Sequence, residues 1–352
     1  MQSKTALVTG ANGYIGNAVA RAFVRAGWLT YGLVRSASPS ISLAAEEIIP
    51  IIGSIDEADS HSKILEVLPP TIDVIVSTTE NITNYLPHYN NTIRLLRTLG
   101  TASTRHGTRP LVIFTSGCKD YGPGPHYDGG PDLQPHTEES PVNPTPFVTD
   151  RAANAVKILD HTDVFAPVLV RPTNVYGRAS SFYCSFFDIG ASTATKKGTP
   201  LVIPTPRSSI CHALHVDDCG DAYVAIAGHP KREEVKSEVF NISAGRYETI
   251  EGIASALAVE YGIEGGVKYV DPQDLKPGQN PWPAMLIDFP QWTSSEKLRK
   301  LTGWSEHRPL FSEALHVYRL AYEAADAAGH QGVQKIKELT EYLRSTAEKQ
   351  QI

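Results

Sequence analysis

Short, almost continuous apolar runs alternate with stretches whose apolar positions recur every three or four residues. The runs are Thr5–Thr9, Leu29–Val34, Ile48–Ile52, Val74–Ser77, Leu111–Thr115 and Val168–Arg171. Apolar residues at successive positions, rather than alternate ones, fit strands buried on both faces. Between them the pattern predicts helices over Ile15–Ala26, Ser60–Leu68, Asn90–His106 and Thr149–Leu159. Strand and helix in alternation predict an α/β fold, a doubly wound and mostly parallel sheet. After Gly177 the order loosens. A strand is predicted at Ile210–Val216, a helix at Asp217–Ala227, a strand at Val239–Ile242 and a helix at Thr249–Tyr261. The tail Phe311–Lys349 reads as helix with a break at Gly329. The expected division is residues 1–177 as the sheet domain, with parts of 205–245 returning to it, and 178–352 as a smaller substrate lobe with C-terminal helices.

The first strand runs straight into Gly10-Ala11-Asn12-Gly13-Tyr14-Ile15-Gly16, and an amphipathic run (Ile15, Val19, Phe23) follows. Strand, glycine turn and helix start in that order aim backbone N–H groups at a pyrophosphate. Gly10 permits the turn, Gly13 lets phosphate approach, and Gly16 lets helix and strand pack. The sheet is therefore expected to be Rossmann-type, with Gly10, Asn12, Gly13, Tyr14 and Ile15 at the cofactor. The second strand ends Leu33-Val34-Arg35-Ser36, with no Asp or Glu to accept from the ribose hydroxyl of NAD. A guanidinium there suits the 2′-phosphate of NADP, so NADP(H) is the expected coenzyme, held partly by Arg35. Thr78 and Thr79 end the fourth strand and are expected along the cofactor.

The chain has 352 residues, enough for this sheet and an appended lobe. Its net charge of -6 is spread without blocks, which argues against nucleic acid. The cysteines (Cys118, Cys184, Cys211, Cys219) have neither CxxC nor His/Cys ligand spacing, so reduced thiols in a cytoplasmic protein and no metal are expected. The chain opens on a strand pattern, which predicts no secretory leader. No apolar run nears the ~20 residues of a membrane span.

Several ordered motifs resemble the extended and atypical short-chain dehydrogenase/reductase superfamily. They are Thr9–Gly16, Phe114-Thr115-Ser116-Gly117, Arg171-Pro172-Thr173-Asn174-Val175-Tyr176-Gly177, His215-Val216-Asp217-Asp218, Phe240-Asn241-Ile242 and the Gly303-Trp304 closing a late helix. The resemblance implies a Rossmann domain binding NAD or NADP, with Pro172, Asn174 and Val175 beside the cofactor. It also implies a small-molecule substrate and a possible homodimer. Where the superfamily has an acid after the third strand, this chain has Ser54.

The superfamily's Tyr-x-x-x-Lys pair falls on Phe147 and Arg151. Phe147 has no hydroxyl, and a guanidinium gives up no proton at neutral pH. The usual general acid is missing, a group worth ~10²–10⁴-fold. Arg151 keeps the charge that would hold the nicotinamide ribose. Ser116 remains at the strand end, and Lys119 and Tyr121 follow in one short loop. That loop resembles the Thr-Gly-x-Lys-His-Tyr segment of the plant progesterone 5β-reductase/iridoid synthase family, which implies a catalytic lysine. Ser116, Lys119 and Tyr121 are the expected catalytic set, with packing an equal reading for Tyr121. Phe147, Tyr183 and Phe186 are expected to line the substrate pocket. His215 reads as a packed group, and Asp217 and Asp218 as helix caps.

Three functions fit. The first is an NADP(H)-dependent reductase of a small, largely apolar carbonyl or enone with a non-standard proton donor. The second is a non-redox lyase, isomerase or cyclase on the same scaffold. The third is a binding protein that senses NADP, as the fungal nitrogen-metabolite repressors do.

Overall fold

A computed structural model of the chain describes residues 4–350, apart from Ser180 and residues 276–279. The parts of the two expected domains that fall on 1–3, 180, 276–279 and 351–352 lie outside the described residues. The central sheet has seven strands: β1 (Thr5–Thr9), β2 (Leu29–Val34), β3 (Ile49–Ile52), β4 (Val74–Ser77), β5 (Leu111–Thr115), β6 (Ala166–Pro172) and β7 (Val239–Ile242). Their order is β7-β6-β5-β4-β1-β2-β3, and every pair is parallel. The chain winds outward from β1 to β3 and returns to β4. The direction of winding therefore reverses between β1 and β4, which opens a crevice at the strands' carboxyl ends.

The helices used below are α1 (Tyr14–Arg25), α2 (Ala58–Val67), α3 (Tyr85–Arg105), α4 (Thr149–Ala155), α5 (Cys184–Ala194), α6 (Val216–Gly228), α7 (Ile250–Glu260), α8 (Leu315–Ala327) and α9 (Gln331–Gln350). Continuous apolar runs bury both faces of the sheet. Val8, Val76 and Ile113 meet α1 and α6 through Val19, Phe23 and Tyr223. Leu7, Ile75 and Val112 face the other way, toward Ile64 of α2 and Leu96 and Leu99 of α3. Phe23 has no exposed surface; full burial of such a side chain stabilises by about 1.5–3 kcal/mol. A further, aromatic core joins α5, α7 and α8 through Tyr176, Phe187, Leu257, Phe311 and Tyr322.

Beyond small shifts at element ends, three expected elements differ in extent and one in its cap. The helix expected from Asn90 starts at Tyr85, because Tyr85 and Tyr89 are buried and Pro87 sits in the first turn, where its missing N–H costs nothing. The helix expected to Leu159 is α-helical only to Ala155 and continues as a tighter 3₁₀ stretch over Val156–Asp160. The expected strand Ile210–Val216 is two short ones. Ile210–Cys211 pairs antiparallel with Glu248–Thr249, and Ala213–His215 pairs parallel with Asn174–Tyr176. Between them the His212 ring is held by the Ala244 carbonyl and the Thr293 N–H. Finally, α6 is capped by neither Asp217 nor Asp218. His215 is the N-cap, its Nδ1 accepting from the Asp217 N–H at 3.1 Å.

Candidate functional site

A cavity of about 860 Å³ lies at the carboxyl edge of the sheet. Its floor is the glycine turn. Gly10 takes φ +69°, and a Cβ on Gly16 would fall on the Gly10 carbonyl and 2.5 Å from Thr78 Oγ1. Any side chain there would push α1 off β1. Asn12, Gly13, Tyr14 and Ile15 consequently line the cavity with the first turn of α1. The buried Tyr14 hydroxyl donates to the Gly177 carbonyl at 2.5 Å, tying α1 to the segment after β6. Burial raises this phenol well above its ordinary pKa, and the Asp217 charge adds to the effect. Thr78 donates to the Thr9 carbonyl at 2.7 Å and also lines the wall. Backbone amides at the start of a helix, on the wall of a cavity, fit the phosphates of a dinucleotide.

The cavity gathers most of the expected cofactor residues: Asn12, Gly13, Tyr14, Ile15, Thr78, Arg151, Pro172, Asn174 and Val175. Gly10 stands behind the turn. Thr79 is off the wall, its hydroxyl 3.2 Å from His88 Nε2. Arg35 is exposed at the tip of β2, outside the cavity, with no carboxylate partner among the described residues.

The expected catalytic set is divided. Ser116 is on the wall, but its hydroxyl donates to Asp120 at 2.5 Å. Asp120 is completely buried. It also accepts from Arg151 Nε at 2.9 Å and lies 3.4 Å from Arg171 Nε. Arg151 extends on to Glu80 at 3.2 Å. Burial opposes the charge on Arg151, yet Glu80 and Asp120 outweigh it and hold the guanidinium above its usual pKa. Arg151 therefore holds charge and does not release a proton.

Tyr121 is buried away from the cavity. Its hydroxyl donates to Asn241 at 2.8 Å and accepts from Arg171 at 3.0 Å, and its ring stacks on His136. Burial raises this phenol too. Tyr121 thus sits in the packing position that the sequence left open.

Lys119 is different. It is half-buried on the cavity wall. Its ammonium donates to the Met285 carbonyl at 2.7 Å and lies 3.8 Å from the centre of the Phe289 ring. No carboxylate among the described residues is within ion-pair distance of it. Burial, and then the Arg151 charge, push its pKa down to about 7.

Of the expected pocket residues, Phe147 and Tyr183 line the cavity, joined by Phe182 and Met285. Phe186 does not. It is fully buried behind the wall, against Trp282 and Phe311.

Several wall residues escaped the sequence. Glu80 follows Thr79, and a carboxylate in that place was a readable signal. Arg178 follows the Tyr176-Gly177 motif. It adopts φ +53° and forms a two-point bond with Asp217, at 2.7 Å on each oxygen. His330, Gln331, Gly332, Lys335, Ile336 and Leu339 bring the C-terminal helix onto the same cavity, and nothing local in the sequence marked them. Among the described residues no group of three or more His, Cys, Asp or Glu could hold a metal ion, and no helix is long and apolar enough to cross a membrane.

Comparison with known proteins bears on the whole frame. The model of the NAD dependent epimerase/dehydratase family matches residues 6–243. Among solved structures, UDP-glucuronic acid 4-epimerase from Bacillus cereus in complex with NAD superimposes with a TM-score of 0.67 at 19% identity, over 91% of this chain and 99% of that one. dTDP-glucose 4,6-dehydratase from Bacillus anthracis in complex with NAD gives 0.67 at 17% identity, over 92% and 98%. Both are likenesses of fold. Among curated proteins, the chloroplast stem-loop binding protein of 41 kDa b of Arabidopsis thaliana is 26% identical over 195 residues, 54% of this chain. The match spans 48%, about half, of that relative's length.

Proposed function

The chain belongs to the NAD dependent epimerase/dehydratase family, and from that premise we propose that it is an NADP(H)-dependent reductase of a small, largely apolar carbonyl or enone, with Lys119 as proton donor. One observation carries the reading. Where relatives of the resembled superfamily place a tyrosine, this chain has Phe147, and Lys119, beside Ser116 on the same wall, is a cation whose pKa burial lowers to about 7, so that it can release a proton near neutral pH. The bound coenzyme would supply hydride. The Lys119 ammonium gives its proton to the substrate atom that gains negative charge, and solvent restores it. Ser116 has its one proton committed to Asp120 and so donates none to the substrate carbonyl, which leaves that donation to Lys119. Phe147, Phe182, Tyr183 and Met285 give the pocket its apolar lining. Preference for NADP rests on Arg35, which is exposed, has no carboxylate partner among the described residues, and has no acid beside it at the strand tip.

The test is NADPH oxidation followed by absorbance against a panel of ketones, aldehydes and enones. Turnover is expected to fall as pH rises through about 7, because the donor is then deprotonated. Lys119→Met should lower kcat by ~10²-fold or more. No turnover across the panel, with coenzyme demonstrably bound, overturns the reductase. The commitment of Ser116 to Asp120 favours a second reading, non-redox chemistry or coenzyme sensing on the same scaffold. That reading requires coenzyme binding, with product formation or partner binding but no net change in absorbance.

A further inference from the structure

The C-terminal helix α9 forms one wall of the cavity, apart from the sheet. Gly329, at φ +66°, reverses the chain after α8, and α9 is then fixed by its inner face. Val333 is fully buried in the aromatic core, and Lys337 is paired to Asp326 at 2.8 Å. Four residues apart, Val333 and Lys337 share one side of the helix. Gln331, Lys335 and Leu339, also four apart, form another stripe, and all three line the cavity. Lys335 is the one charge on that stripe. It is exposed and has no carboxylate partner among the described residues. Facing the same space are the backbone amides of Asn12–Ile15 at the start of α1, where the helix dipole favours an anion. A cation and an amide cradle on one cavity call for the same ligand group.

We propose that Lys335 is a cofactor-binding residue that closes over the bridging phosphates of the dinucleotide, so that α9 is part of the coenzyme site. The inference rests on the coenzyme reading above. It is tested on the full chain with NADP⁺ as the probe. Lys335→Glu is expected to weaken NADP⁺ binding about tenfold or more by calorimetry, Lys335→Arg to retain it, and both to melt like the unaltered chain. Adenosine 2′-monophosphate, which has no bridging phosphates, should bind all three alike. In the unaltered chain, NADP⁺ should slow tryptic cleavage after Lys335 and Lys337, a readout that needs no variant. Equal NADP⁺ affinity in Lys335→Glu, with cleavage indifferent to NADP⁺, overturns this inference and leaves the coenzyme reading standing. No NADP⁺ binding by the unaltered chain overturns both.

Discussion

Asp120 shows how one residue can decide what its neighbours do. Its carboxylate has no solvent contact and takes the Ser116 proton and the Arg151 guanidinium, with Arg171 beside it. Removing its charge leaves two buried guanidiniums with Glu80 as the remaining acid. Breaking a buried pair from one side costs about 3–5 kcal/mol, so Asp120→Asn should destabilise by that order in urea unfolding. Glu80→Gln, at the half-open rim, should cost about 1 kcal/mol or less. Similar losses for the two variants would show that Asp120 is not the keystone of the cluster. At this scale the sequence was legible in what it lacked. The missing tyrosine hydroxyl at Phe147 could be read directly. The inward turn of Asp120 could not, because Cys118–Tyr121 folds as a short 3₁₀ turn that no periodicity announces.

Asp217 holds whole elements together. It opens α6, and its carboxylate accepts from Arg21 on α1 at 2.8 Å, from Arg178 after the Asn174–Tyr176 strand, and from Arg308 at 3.1 Å. Burial alone would raise its pKa, but the Arg178 bonds and the Arg178 and Arg21 charges outweigh it and leave the carboxyl well below the ordinary range. The sign follows. A folded pKa below the unfolded ~3.9 means stability present above that pH and lost as pH falls below it. Arg178 and Arg308 are half exposed, so solvent screening reduces the gain, and roughly 1–3 kcal/mol at pH 7 is expected. Asp217→Asn should therefore melt earlier than the unaltered chain at pH 7, and the gap should narrow on acidification from pH 4 toward 2. A gap that holds constant with pH would mean that the charge is not what links these elements. Strands were legible at this scale because two-sided burial writes continuous apolar runs. The start of α3 and the divided strand at His212 were not, because tertiary packing of Tyr85, Tyr89 and the His212 ring overrides the local pattern.

The whole molecule brings residues from Asn12 to Leu339 onto one cavity. The sheet side of that cavity followed from topology, since winding that reverses at β1 and β4 leaves a crevice whatever the loops contain. The α9 side did not, because a helix with apolar and charged residues on several faces does not say which face meets the cleft. The charge balance appears only at this scale. The chain carries a net -6, yet Arg21, Lys119, Arg151, Arg178 and Lys335 line the cavity against Glu46 and Glu80 alone. Asp120 and Asp217 lie behind the wall and neutralise part of that excess. What is left is concentrated where low-dielectric walls focus it, in a molecule whose remaining surface repels anions. Association of NADPH, followed by stopped-flow tryptophan quenching, should therefore slow as ionic strength rises from about 0.02 to 0.5 M, over which the Debye length shrinks several-fold. The Lys335→Glu chain should show a shallower dependence, because the exposed charge it removes is the one most open to salt. An association rate indifferent to salt in both would mean that the wall cations are fully neutralised from behind, and that coenzyme finds the cleft by shape alone.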